Sequence, residues 1–313
     1  FELIRDRAIT LLDSAGVPSV VLKGAALVAT LYPDPVERDL EDLDLLVDPQ
    51  QVRPAVRALE GGGYVRPGLR ELLLFRRDHF HVCLESPEGT SLEVHWALTR
   101  PNSPFQLDAA AIARQARWHR PRDGRAFRYP QPEAMLLHLV TQCVQEGFCR
   151  LARLVDIDRI VTATPQLDWS ALEAAAREGG LVTATSFTLQ LAARLLGTPL
   201  PERARALRPR ALVRFHLALL RPVPTLLDQR RREAYADRQL LELWLAPGVR
   251  RRLRLLYGLL HDRFLDAPRG LVLGKLPLRQ AYHYLTAALL QATPSGRSQT
   301  RFWSSHASSS ERL

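Results

Sequence analysis

Between Val20 and Val47 the chain reads VVLKGAALVATLYPDPVERDLEDLDLLV, and inside it Asp42-Leu43-Asp44-Leu45 alternates charged with apolar side chains. That alternation has the two-residue period of a strand. In an extended backbone Asp42 and Asp44 project to one face, while Leu43, Leu45 and Val47 point into a core. Two carboxylates held side by side repel each other unless a cation lies between them. Hard cations such as Mg²⁺ take oxygen ligands and leave positions for substrate phosphates, so the pair is a candidate metal site. The other reading of Asp42 and Asp44, a solvated face of an edge strand, fits poorly with the Leu-Leu-Val that continues the strand.

Upstream, Ser19 to Leu22 reads as a buried strand, Lys23-Gly24 as a turn, and AALVATLY as a helix that runs to Pro33. A glycine between a strand and a helix lets backbone N–H groups approach an anion at the helix N-terminus. Lys23 and Arg38 are the cations placed to meet phosphates. Lys23 stands out because only it and Lys275 are lysines, which leaves 41 arginines among the 43 basic residues. A compact ammonium ion suits a point contact to phosphate. The alternatives are a surface lysine at a strand end and an Arg38 paired with the acidic loop around it. A third carboxylate is expected from a later strand, and Glu93 in Ser91-Leu92-Glu93-Val94-His95-Trp96 is the best placed.

Ahead of this stretch, Ile4, Ala8, Leu11 and Leu12 have helical spacing, and Gly16-Val17-Pro18 ends that helix. After it, Asp48-Pro49 starts a helix with Val52, Val56 and Leu59 on its apolar face, which Gly61-Gly62-Gly63 stops. Leu72 to Phe75, His79 to Leu84 and Ser91 to Ala97 read as strands, the last two joined by Ser86-Pro87-Glu88-Gly89. From Pro101 to Pro132 the chain is rich in Arg and Pro and lacks periodicity, which marks a connection between domains. Beyond it, Leu136, Leu139, Val140, Cys143 and Val144 form a helical stripe. A second helix follows through Leu151 to Val161, a third capped by Asp168 and ended by Gly179-Gly180, and a fourth from Leu181 to Leu196. Further Arg-rich helical segments run from about 203 to about 291.

At 313 residues, with 46% hydrophobic and 24% charged side chains, the chain can bury a full core and is not an intrinsically disordered one. No apolar run is long enough to span a membrane. FELIRDRAIT places charges where a secretory leader has its apolar core. Without an initiator Met, the chain is expected to start short of its natural beginning. Cys83, Cys143 and Cys149 are odd in number and follow no zinc-ligand spacing, which fits a reduced, cytoplasmic setting. The net charge of +10 reads either as arginine-rich composition on solvated helix faces or as attraction to a polyanion such as NTP or RNA.

The run hhKG-x-A-L, the Tyr-Pro-Asp-Pro loop, Arg38, Asp42-Leu43-Asp44 and Leu92-Glu93-Val94-His95-Trp96 together resemble the polymerase-beta-type nucleotidyltransferase superfamily. Within it the chain is most similar to a bacterial group called uncharacterised nucleotidyltransferases, some of which accompany lasso-peptide and other natural-product gene clusters. More distantly it resembles the nucleotidyltransferase toxins of abortive-infection systems. The resemblance covers residues 15–97 well and extends more loosely through 154–161 and 167–169. With the element order read above, it implies an α/β nucleotidyltransferase domain with a small mixed sheet over residues 1–122, followed by an all-α domain over 123–292; the Ser-rich, patternless end, 293–313, reads from its composition as a flexible tail. The resemblance further implies that Gly24 and Ala25 hold the phosphates of an NTP, and that Asp42, Asp44 and Glu93 bind two Mg²⁺ ions. The implied acceptor is a peptide natural product, a small molecule or an RNA end. Two departures stand out: Ala25 replaces the usual second Gly or Ser, and Glu41 adds negative charge beside the metal site. They leave open a non-catalytic nucleotide-binding or partner-binding module, and the basic C-terminal half leaves open a toxin-like enzyme acting on tRNA.

The histidines carry less. His79, His81 and Cys83 alternate in one strand and His95 lies in the next, but a one-residue slip of register moves the first two off the face of Glu93. Zinc is not expected. His95 shares a face with Glu93 whatever the register, so it supports the carboxylates or binds substrate. His138 reads as a hydrogen-bonded core histidine, and Trp96 and Trp169 as core. Asp156 either faces the cleft or pairs with an arginine.

Overall fold

Asp44 opposite Glu93 is the pairing on which the sheet turns, and the computed structural model of the chain shows how it arises. The structure describes residues 1–66, 80–100, 103–148, 150–207, 242 and 245–253, all within the unit Phe1–Leu259. Helix α1 (Glu2–Ser14) leads to strand β1 (Val20–Val21), helix α2 (Lys23–Leu31) and strand β2 (Asp42–Leu46). Helix α3 (Val52–Gly61) precedes strands β3 (His81–Glu85) and β4 (Ser91–His95). The four strands form one mixed sheet in the order β1-β2-β4-β3. β1 pairs antiparallel with β2, β2 parallel with β4, and β4 antiparallel with β3.

The alternation expected of β2 is present. Leu43, Leu45 and Val47 are fully buried, together with Leu92 and Val94 of β4. Each such leucine contributes about 1.5–3 kcal/mol on removal from water. The opposite face carries Asp42 and Asp44. Behind the sheet, Ile4, Ala8 and Leu12 of α1 and Val52, Val56 and Leu59 of α3 complete the core. The strand expected at Leu72–Phe75 lies outside the described residues. So do most of the Arg-rich segments expected from 203 to 291, and all of the tail from 293 to 313.

Residues 101–132 are more than a connection. Asp108 caps a short helix, α4 (Ala109–Arg114), by accepting from the Ala111 amide. Strands β5 (Arg117–His119) and β6 (Phe127–Tyr129) then pair antiparallel. Each element is too short to show a period in an Arg- and Pro-rich sequence. Ile112 nevertheless joins Val20, Leu22, Leu46 and Leu98 in a second, smaller core.

Helices α5 (Pro132–Gln145), α6 (Leu151–Ala163), α7 (Trp169–Gly179) and α8 (Val182–Leu196) follow, with a short α9 (Glu202–Ala206) after them. The stripe Leu136, Leu139, Val140, Cys143 and Val144 is buried as expected. Asp168 caps α7, and Gly180 at φ 75° ends it in the left-handed conformation that favours glycine. α5 packs on α6, α7 and α8, and α6 also touches α2. Trp96 and Trp169 are half-buried against the main core rather than inside it. Among the described residues, no helix is long and apolar enough to cross a membrane.

The contact between the sheet region and α6 is ionic as well as apolar. Arg38 grips Asp156 with both ends of its guanidinium, Nε to Oδ1 at 3.0 Å and Nη2 to Oδ2 at 3.1 Å. The Tyr32 hydroxyl donates to Asp156 Oδ1 at 2.7 Å. Asp156 is fully buried. Nearer the surface, Arg159 pairs with Glu37 at 2.6 Å and Arg150 with Glu41 at 3.0 Å. Of the two readings for Asp156, pairing with an arginine is the one observed. Replacing one member of a buried ion pair leaves the other charge uncompensated, a loss of about 3–5 kcal/mol. Asp156→Ala is therefore expected to lower unfolding free energy by about that amount in urea denaturation, and a loss under about 1 kcal/mol would show that the seam is dispensable.

Candidate functional site

The register of the sheet brings the three expected carboxylates together. Asp42 pairs with Ser91 and Asp44 with Glu93 across β2 and β4, and Cys83 of β3 stands on the far side of Glu93. One oxygen from each of Asp42, Asp44 and Glu93 lies within 4.8 Å of the others. Asp44 is fully buried and the other two are half-buried.

Lys23 lies against this group. It turns the chain from β1 into α2 with φ at 46°, a left-handed conformation that costs a side-chain-bearing residue about 1–2 kcal/mol. It is also a buried cation at a helix N-terminus, where the helix dipole disfavours positive charge. Its partners account for it. Lys23 Nζ lies 2.6 Å from Asp44 Oδ1 and 3.9 Å from Glu93 Oε2. Burial would lower its pKa, but the Asp44 and Glu93 carboxylates raise it above the usual value, so it stays charged. Lys23 is thus neither at the surface nor at the end of a strand.

Gly24 is the second residue of α2 rather than a turn before it. The absence of a side chain matters for another reason: a Cβ there would come within 2.7 Å of Leu40 Cδ2. Glycine lets the loop that carries Arg38 and Leu40 close down on the start of the helix. No side chain caps the first turn of α2, and no acidic residue lies in it. Ala25 and Arg38 line a cavity of about 470 Å³ beside α2, together with Val28, Ala29, Val36 and Leu40. Glu41 is exposed and paired with Arg150, which lowers its pKa.

His95 Nε2 lies 2.7 Å from Asp44 Oδ1 and 3.0 Å from Glu93 Oε2. It supports the carboxylates, one of its two expected roles. Its Nδ1 is buried without a hydrogen-bond partner among the described residues. His138 of α5 is in the core, as expected, but both of its ring nitrogens lack a hydrogen-bond partner among the described residues. Burial, and then the charge of Lys23, hold its pKa well below the usual value.

The carboxylates respond to this setting in opposite ways. Burial raises the pKa of Asp42 to about 6, and the neighbouring Asp44 carboxylate adds to the rise. Burial also opposes ionisation of Asp44, but Lys23 and His95 outweigh it and pull its pKa well below the usual range. Glu93 is lowered likewise, chiefly by the His95 hydrogen bond acting against burial. A buried acid group short of positive charge at Asp42, with oxygen donors in reach of one another, fits a hard divalent cation. Arg153 of α6 lies close enough to act on Asp42 and Asp44 electrostatically. Sequence reasoning missed it, although Arg150, Arg153 and Asp156 recur at a spacing that places them along one side of a helix.

A family model described as "Uncharacterised nucleotidyltransferase" matches residues 4–197. No curated protein matches the chain. Among solved structures, it is similar to the lincosamide antibiotic adenylyltransferase LnuA with lincomycin bound, at 18% identity and TM-score 0.34, over 51% of this chain and 94% of that one. It is similar to the antibiotic-resistance factor ANT(2'')-Ia at 16% identity and TM-score 0.34, over 70% of this chain and 96% of that one. A nucleotidyltransferase-like protein from Paracoccidioides brasiliensis is similar at 19% identity and TM-score 0.35, over 62% and 92%. At such identities and TM-scores these structures add nothing to the assignment, which rests on the family match.

Asp42 gives the site a pH signature. Its raised pKa means that between about pH 4 and pH 6 the unfolded chain binds fewer protons than the folded one, so the metal-free fold loses stability as pH rises through that window. Asp44 and Glu93, held low, act in the opposite sense: their stabilising effect is complete above the ordinary carboxylate range and is lost as pH falls through and below it. In EDTA, Asp42→Asn is expected to melt above the wild type at about pH 7.5, with the gap closing toward about pH 4. Equal melting temperatures across that range would refute the shift.

Proposed function

The chain belongs to the family of uncharacterised nucleotidyltransferases, and from that premise we propose that it transfers a nucleoside monophosphate from an Mg-NTP to a hydroxyl or phosphate acceptor, releasing pyrophosphate. The observation that carries the proposal is the convergence of Asp42, Asp44 and Glu93 next to the uncapped start of α2. Free backbone N–H groups and the dipole of a helix N-terminus favour phosphate. In the reaction, the acceptor oxygen bonds to the α-phosphorus, the bond to the β-phosphate oxygen breaks, and the acceptor's proton goes to solvent.

Asp42, Asp44 and Glu93 would hold two Mg²⁺ ions. When bound, these supply charge neutralisation at the departing pyrophosphate and lower the pKa of an acceptor hydroxyl. Lys23 and His95 fix the Asp44 carboxylate in place, which spares the site that reorganisation when substrate arrives. Gly24 and Ala25 present the amides of the first helical turn to the phosphates. Arg38, tied to Asp156, holds the loop that borders that turn. The division of labour we propose gives residues 1–122 the nucleotide and residues 123–292 the acceptor. That acceptor is a peptide natural product, a small molecule or an RNA end.

The double substitution Asp42→Asn with Asp44→Asn is expected to abolish Mg²⁺-dependent pyrophosphate release. The assay uses each radiolabelled NTP in turn with Mg²⁺ and a cell extract as the source of acceptor. Release that persists in the double variant would remove the metal assignment. Tight Mg-NTP binding by the wild type in calorimetry, with no labelled product in any extract, would instead mark a non-catalytic nucleotide-binding module.

A further inference from the structure

Glu93 has two sides. With β2 it completes the carboxylate group of Asp44 and Asp42, and it also meets two imidazoles, His81 of β3 and His95 of its own strand. The antiparallel register sets His81 directly opposite His95, with ring centroids 4.9 Å apart. His81 Nε2 lies 3.6 Å from Glu93 Oε1, and His95 Nε2 lies 3.0 Å from Glu93 Oε2. One nitrogen from each ring and one oxygen of Glu93 fall within 4.8 Å of one another. Backbone pairing imposes this arrangement, because His81, Glu93 and His95 occupy neighbouring positions on one face of a two-strand ladder.

The two donor sets differ in chemistry. Carboxylate oxygens suit Mg²⁺, whereas imidazole nitrogens suit zinc and other ions late in the first transition row. Two histidines and a glutamate with an open position form a donor set for a reactive zinc ion. We propose that His81, Glu93 and His95 form a second cation site, selective for an imidazole-seeking divalent ion of the Zn²⁺ class, with Glu93 as the carboxylate shared between the two sites. The side chains of His81 and Glu93 are 17% and 19% exposed, and that of His95 is 1% exposed. In the ion-free fold His95 Nε2 hydrogen-bonds the carboxylates, so ligation through it releases that proton to solvent, whereas Nδ1 has no hydrogen-bond partner among the described residues. The competing account leaves His95 as a hydrogen-bond donor between two carboxylates and gives His81 no part in ion binding. The proposal shares Glu93 with the nucleotidyl-transfer reading but does not need that reaction to occur.

The full chain, stripped with EDTA and dialysed, is titrated with Co²⁺ as a visible stand-in for Zn²⁺. The expected result is absorption that saturates at one Co²⁺ per chain and is displaced by Zn²⁺ but not by equimolar Mg²⁺. His81→Gln should weaken Co²⁺ binding about tenfold or more, and Asp42→Asn by less than about threefold. No visible bands, bands insensitive to His81→Gln, or equal displacement by Mg²⁺ would overturn the proposal. Should His81→Gln lose the circular dichroism of the wild type, pulsed EPR of the Cu²⁺-loaded wild type decides. Couplings from two imidazole nitrogens uphold the site, and one or none sinks it. Pyrophosphate release is assayed separately, so its failure removes the transfer reading while leaving the cobalt result to stand or fall alone.

Discussion

One oxygen, Asp44 Oδ1, receives both the Lys23 ammonium at 2.6 Å and His95 Nε2 at 2.7 Å. A carboxylate with 1% exposure cannot remain ionised without such partners, because burial of an unpaired charge costs several kcal/mol. The rest of the centre follows from meeting that need. Lys23 accepts a left-handed backbone to bring its side chain inward, and this fixes the angle at which α2 leaves β1. His95 must reach Asp44, and the parallel register of β2 on β4, which sets Glu93 opposite Asp44, places it there. The Leu22 amide donates to the Asp44 carbonyl at 2.9 Å, so the backbone ties the same two segments that the ion pair joins.

The seam against α6 works on the other side of α2. Among its contacts, the buried Arg38–Asp156 fork with the Tyr32 hydroxyl outweighs the surface pairs at Glu37 and Glu41, since exposed ion pairs contribute about 0–1 kcal/mol each. The fork holds the Tyr32–Arg38 segment against the helices, and Gly24 leaves the room for it to do so. The loop between α2 and the acid pair is therefore anchored at its middle by a helix more than a hundred residues away in sequence.

Which of these features the sequence revealed depends on how local their cause is. The shared face of Asp42 and Asp44 follows from a two-residue period, and Asp168 as a cap from the residues beside it, so both were legible. Glu93 was found by its place in a strand with the right alternation. The partners of Arg38 and Lys23 were not legible, because each pairing depends on which distant segment packs alongside. Nor was the reason for Gly24, which is the approach of Leu40 rather than a turn. The position of His81 turned on register, which the residues of one short strand do not by themselves fix, because it depends on the strand paired alongside. The β5–β6 ribbon was hidden by its shortness.

The charges on this face of the sheet are not evenly balanced. Toward the end of the ladder that carries His95, Lys23 and His95 meet Asp44 and Glu93, and both carboxylates are held in the ionised state. At the other end Asp42 is half-buried and lies beside Asp44, whose charge opposes its ionisation. Lys23 and Arg153 act on it too, but they do not offset burial and repulsion. The centre is thus short of positive charge at one identifiable carboxylate. In the two-site scheme we propose, a hard cation would gain most at Asp42 and an ion that prefers nitrogen at the far end, beside His81 and His95. The same β-ladder would then sort cations by chemistry along its length, with Glu93 the ligand common to both groups.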